Sequence, residues 1–137
     1  LLLNDIKENS CKEDISIILF NKSGSLANDI TYQKTIIEDN YFPSPSVFVY
    51  TLANIVTGEI AIRHKIYGET SFYISNTIDV QQMYDIVTSS LTNGNKRCIC
   101  GWLECSSENS FEAILFLLDD SNNNHFNIEN INRIINI

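Results

Sequence analysis

Residues 15–20, Ile-Ser-Ile-Ile-Leu-Phe, form an almost wholly apolar run rich in β-branched side chains, closed at once by the turn-forming Asn21-Lys-Ser-Gly-Ser25. So short a run without polar alternation reads as a strand buried on both faces, and the turn after it feeds the chain into a loop. A strand covered on both sides needs layers above and below it. With 137 residues and 44% hydrophobic side chains there is material for one such core and no room for two ordinary domains, so residues 1–137 are expected to form a single unit.

The remaining signals supply the layers. Asn28 or Asp29 can cap a helix running to about Glu38, with Ile30, Ile36 and Ile37 loosely on one face. Phe42-Pro43-Ser44-Pro45-Ser46 forces extended backbone, because a residue preceding proline is pushed out of the helical region. From Val47 to Lys65 apolar residues fall all round the helical wheel, which predicts one helix buried inside a lobe or between subunits, and Gly58 within it suggests that another backbone packs closely there. Gly68 leads to a second strand, Thr70 to Ser75. Val80, Met83, Ile86, Val87 and Leu91 then recur at helical spacing up to the stop Asn93-Gly94. Ser75 and Thr77 are the expected caps of that helix, with Asp79 in its first turn.

Arg97 to Cys105 and Phe111 to Leu118 read as two antiparallel strands joined across Ser106 to Ser110. Residues 121–137 comprise the polar spacer Ser121-Asn-Asn-Asn-His125 and a last element, helix or strand, marked by Ile128, Ile131, Ile134 and Ile135. The order predicts an α/β fold with a mixed sheet of about four to five strands packed with helices.

Charge narrows the partners. Acidic residues outnumber basic ones 17 to 9, a net −8 that repels nucleic-acid backbones and anionic lipid surfaces, so neither is expected as a partner. No stretch approaches the roughly 18 apolar residues that span a bilayer. Leu1-Leu2-Leu3 has no basic flank and reads as an internal or trimmed start, and the cytosol is the expected compartment.

The four cysteines are Cys11, Cys98, Cys100 and Cys105. Along one strand Cys98 and Cys100 share a face with Trp102, whereas Cys105 lies on the other, so they predict buried apolar thiols and no metal site. Ser71 or Ser75 with His64 fits no nucleophile elbow, since no acidic orienter is placed.

From Pro45 to Glu104 the motifs come in a telling order: Asn54-Ile-Val-Thr-Gly58, Gly68-Glu-Thr70, Ser75-Asn-Thr77, the helix from Val80, and Gly101-Trp-Leu-Glu104. In that order and spacing the chain resembles the thiolase-like β-ketoacyl synthases (3-oxoacyl-acyl-carrier-protein synthases), the condensing enzymes of fatty-acid and polyketide assembly, and specifically the N-terminal half of their fold. The resemblance implies a thiolase-like half-fold. It also places the family's nucleophilic cysteine at Thr77, beside Asn76, while the family's histidines have no match, since His64 and His125 lie in no corresponding motif.

A threonine hydroxyl without an adjacent base is too weakly acidic to replace a thiolate, so no catalytic residue, cofactor or metal is expected. The resemblance further implies pairing through the strand before the nucleophile position, with Asn54, Gly58, Glu59, Ser71, Phe72, Tyr73, Ile74 and Ser75 as interface residues. The expected partner is a second copy or a complete ketosynthase, in a dimerisation or chain-length role of fatty-acid or aryl-polyene-type polyketide assembly. Arg63-His-Lys65 and Lys96-Arg97 are the basic clusters an acidic acyl carrier protein would meet, though −8 overall disfavours that docking. Two alternatives stay open: an acyl-transferring or thioester-hydrolysing enzyme using Cys105, His64 or a serine, and a structural homodimer with no pathway role.

Overall fold

A computed structural model describes residues 12–37, 39, 42–107, 109–119 and 125–136. Cys11, the Leu1–Leu3 start, Glu38 and most of the polar spacer lie outside them. The apolar run becomes β1 (Ile15–Asn21), in which every residue is buried. Its burial follows from its place: the sheet order is β2-β1-β3-β4, with β2 (Thr70–Ile74) and β3 (Arg97–Ser107) both parallel to β1 and β4 (Ser110–Asp119) antiparallel to β3. The expected mixed α/β sheet is thus realised with four strands.

The pleat sorts side chains onto two cores. On one face Ile18, Phe20, Cys98, Cys100, Trp102 and Leu118 pack with Met83 and Val87 of α4 (Val80–Thr92). On the other, Ile15, Ile17, Leu19 and Ile99 pack with Ile66 and with Val56, Ile60 and Ala61 of α3 (Ile55–His64). Each fully buried Ile, Leu or Phe contributes about 1.5–3 kcal/mol of transfer free energy. The last element is a helix, α5 (Ile128–Ile135), which buries Ile131 and packs on α4.

Two glycines fix the spacing of the backbones. A Cβ at Gly101 would run into the carbonyl oxygen of Ile114 on β4, and one at Gly68 into that of Ile15 at the start of β1. Gly94, at φ 113°, ends α4 in backbone that other residues rarely adopt.

Several expectations are corrected. The single helix over Val47–Lys65 is broken into α2 (Pro45–Phe48), a 3-10 turn (Val49–Thr51) and α3, the two arms meeting at 101°. Leu52 is extended, at ψ 116°, and two side chains close the ends: Thr51 Oγ1 donates to the Phe48 carbonyl (2.7 Å) and Thr57 Oγ1 to that of Asn54 (2.8 Å). Nor is the segment buried all round within the chain, since Leu52 is 50% and Ile62 81% exposed and Thr57 alone in α3 is buried. Among the described residues no neighbour lies within 4 Å of a Cβ built at Gly58, so they supply no close backbone contact of the kind inferred there.

The first helix, α1, spans Leu26–Gln33 and starts from Ser25, not from Asn28 or Asp29. Helix α4 is capped by Asp79, whose carboxylate accepts from the Gln82 amide (2.9 Å), not by Ser75 or Thr77. The third and fourth strands run two residues further into the link at Ser107 and one at Ser110, with a register irregularity between Cys105 and Ser107.

Candidate functional site

In open α/β sheets, ligands and partners gather at the carboxyl ends of the parallel strands. Here that end is built by the β1–α1 loop, the β2–α4 elbow and the end of β3. The loop Lys22-Ser23-Gly24-Ser25 turns sharply, with Gly24 at φ 58°. The Asn21 side chain holds it from below, Nδ2 donating to the Gly24 carbonyl (2.8 Å) and Oδ1 accepting from the Gly24 amide (3.0 Å). From β3, Glu104 Oε2 accepts the amides of Lys22 (2.7 Å) and Ser23 (3.1 Å).

Burial opposes ionisation of Glu104, but the Ser23 hydroxyl and the amides of Lys22, Ser23 and Cys105 outweigh it and hold the carboxyl below its usual range. Its Oε1 is buried without a hydrogen-bond partner among the described residues.

Thr77, where the resemblance puts the nucleophile, lies in the β2–α4 elbow. The Ser75 amide donates to the Asn21 carbonyl (2.8 Å), and Ser75 Oγ donates to the Thr77 carbonyl (2.9 Å). Asn76 and Thr77 are exposed. His64 ends α3, at the opposite end of β2 from Thr77, and at about 3.3 Å per residue the strand between them keeps the imidazole out of reach.

The interface residues expected from the resemblance divide into groups. Asn54, Phe72 and Ile74, with Ser23, Ser25, Asp29, Thr51 and Leu52, line an open groove of about 620 Å³ beside β2. Tyr73 stacks on Phe20 across the other face (5.1 Å between centroids). Glu59 lies on a separate groove with Tyr50 and Arg63, where its carboxylate, hydrogen-bonded to the Tyr50 hydroxyl, pushes that phenol up. β2 ends the sheet, so among the described residues its outer backbone edge has no strand beside it. Ile74, at the end of that edge, is 63% exposed.

The thiols follow the pleat. Cys98 and Cys100 are buried in the α4 core as expected, but Cys105, expected as a buried thiol too, is exposed near the end of β3. Burial pushes the Cys98 thiol up to about 11 and Cys100 well above its ordinary value, so neither is a nucleophile at neutral pH. Among the described residues no three His, Cys, Asp or Glu side chains gather to hold a metal.

Two polar features escaped the sequence reading. One is the Glu104 tie to the loop, whose only signal is an acidic residue on an apolar strand. The other lies at the amino ends of the strands, where Ser90 Oγ donates to Ser16 Oγ (3.1 Å) and Asn95 Nδ2 to Ser90 Oγ (3.0 Å) and Glu69 (3.4 Å). Ser16 and Ser90 stand 74 residues apart in sequence, with nothing to announce that they meet.

No protein-family model and no curated protein matches the chain. A solved structure does: a ketosynthase (ApeO) in complex with its chain length factor (ApeC) from Xenorhabdus doucetiae, at TM-score 0.57 and 17% identity. The likeness is one of fold: a mixed four-stranded α/β sheet packed with helices, as in this thiolase-like neighbour. The match covers 66% of this chain and 37% of the solved one, so the thiolase-like sheet here corresponds to well under half of its neighbour. Among the described residues no single helix is long and apolar enough to cross a membrane; the arms Pro45–Thr51 and Ile55–His64 pass such a test only as a bent pair.

Proposed function

We propose that the chain is a non-catalytic, ketosynthase-like partner in fatty-acid or aryl-polyene-type polyketide assembly, acting in the cytosol by pairing through β2 with a second copy or with a complete ketosynthase. The observation that carries this reading is the state of the elbow: the position the resemblance gives to the nucleophile is an exposed threonine whose strand keeps it apart from His64. Among the described residues no base is hydrogen-bonded to that hydroxyl, and an unactivated hydroxyl is too weak a nucleophile for acyl loading. Among the described residues the same strand offers an unpaired edge, and its exposed Ile74 is suited to pairing with another sheet. Fold likeness to a ketosynthase and chain length factor complex supports a partner role of this kind. An acyl carrier protein, if it engages the assembly, meets Arg63-His-Lys65 or Lys96-Arg97.

Incubation with acyl thioesters followed by intact-mass measurement tests the reading. No covalent adduct is expected. An adduct that disappears on mutating Cys105 alone would establish the acyl-transfer alternative, for which the exposure of that thiol is the supporting observation. Light scattering at tens of micromolar tests the pairing: a strictly monomeric particle, alone and with a ketosynthase, defeats it.

A further inference from the structure

We propose that Glu104 is a positioning residue whose carboxylate latches the β1–α1 loop and thereby shapes the groove beside β2. The geometry runs in one line across the carboxyl ends of the strands. Glu104, on β3, accepts the amides of Lys22 and Ser23. Gly24 follows, tied to Asn21 through both of its backbone groups. A Cβ at Gly24 would sit 3.3 Å from Ile74 Cδ1, so the loop rests directly on the end of β2.

Ser23, Gly24 and Ser25, the residues so held, form one wall of the groove whose other sides are Thr51 to Asn54 and the side chains of Thr70, Phe72 and Ile74. Without the latch, Lys22 and Ser23 lose their acceptor, and the hydrogen-bonded tie from β3 to the loop is gone. Hydrogen bonds to a charged acceptor are the stronger kind, which suits a carboxylate to the task. That the groove serves a partner rests on the function proposed above; the latch itself does not.

The test is amide hydrogen exchange read residue by residue on the whole chain at neutral pH, wild type against Glu104→Ala. The Lys22 and Ser23 amides are expected to exchange about tenfold faster or more, with the core amides of Ile17 to Leu19 changed by less than about twofold. If the alanine variant does not fold, Glu104→Gln, which keeps the shape and one neutral acceptor, is read the same way and is expected to show a smaller acceleration at the same two amides. Equal acceleration throughout β1, or none at Lys22 and Ser23, overturns the latch.

Self-association or ketosynthase binding by light scattering supplies the second readout. Weaker association in the variant supports the groove's dependence on the loop, and unchanged association with a loosened loop overturns it. A wild-type chain that never associates defeats the proposed function while the exchange result still decides the latch.

Discussion

Glycine serves opposite ends at two positions, and alanine separates them. At Gly101 the β4 backbone stands where a Cβ would go, so Gly101→Ala forces the hairpin apart and is expected to cost at least about 2 kcal/mol in denaturant unfolding. At Gly58, mid-helix in open space, Gly58→Ala is expected to stabilise by about 0.5–1 kcal/mol, since nothing opposes the methyl and the helix gains propensity. Glu104 carries the pH dependence. Its folded-state pKa is depressed, so its contribution is present above the unfolded carboxylate value and is lost as pH falls through the lower folded one. Lys22 meets it through its backbone amide, and Glu112 is its register partner on β4. Glu104→Gln is therefore expected to flatten the acid limb of the stability curve while leaving the neutral-to-alkaline limb parallel to wild type. Peptide-level alkylation gives a third check: at neutral pH Cys105 labels readily, and Cys98 and Cys100 label only once the protein unfolds.

Elements with one clear periodicity were legible from the sequence. Continuous apolar runs gave β1 and β4, and alternating cysteines gave the two faces of β3. Spacing by three and four placed α4 to within a residue at either end. The segment from Val47 to Lys65 was not legible as it stands, because its apolar residues continue unbroken through a bend made by Leu52 and by two threonine hydroxyls bonding to carbonyls three residues back. Local side-chain hydrogen bonds of that kind leave no trace in a hydropathy pattern. Caps were misplaced for a related reason: Ser75, Thr77 and Asp79 all have the chemistry, and only the chain's turn out of β2 decides among them. Asp79→Ala should cost about 1 kcal/mol, whereas Thr77→Ala should be within about 0.5 kcal/mol of wild type, both read from denaturant midpoints.

At the scale of the whole molecule, the mixed α/β sheet packed with helices was readable. The candidate site was readable only as positions, since which of them face one another depends on the pleat and on loops that Glu104 and Asn21 tie down. The edge of β2 makes the pairing testable without touching the core. Ile74→Lys places a charge on an exposed edge position and is expected to turn an associating chain monomeric in light scattering, with a melting temperature close to wild type.

The register of β1 has a further consequence for how the molecule is made. Its partners arrive late: Ile17 waits for Thr70 on one side and Ile99 on the other, whereas β3 and β4 meet across a tight turn. The hairpin's contacts are local and cost little loop entropy, whereas β1, the most apolar of the described strands, is synthesised well before its partners β2 and β3. Until β3 emerges, a nascent chain carries Ile15 to Phe20 with both edges bare, a segment prone to find strands of other chains. Slow translation between residues 21 and 97 would lengthen that exposure, and a chaperone that holds extended apolar segments would shorten it.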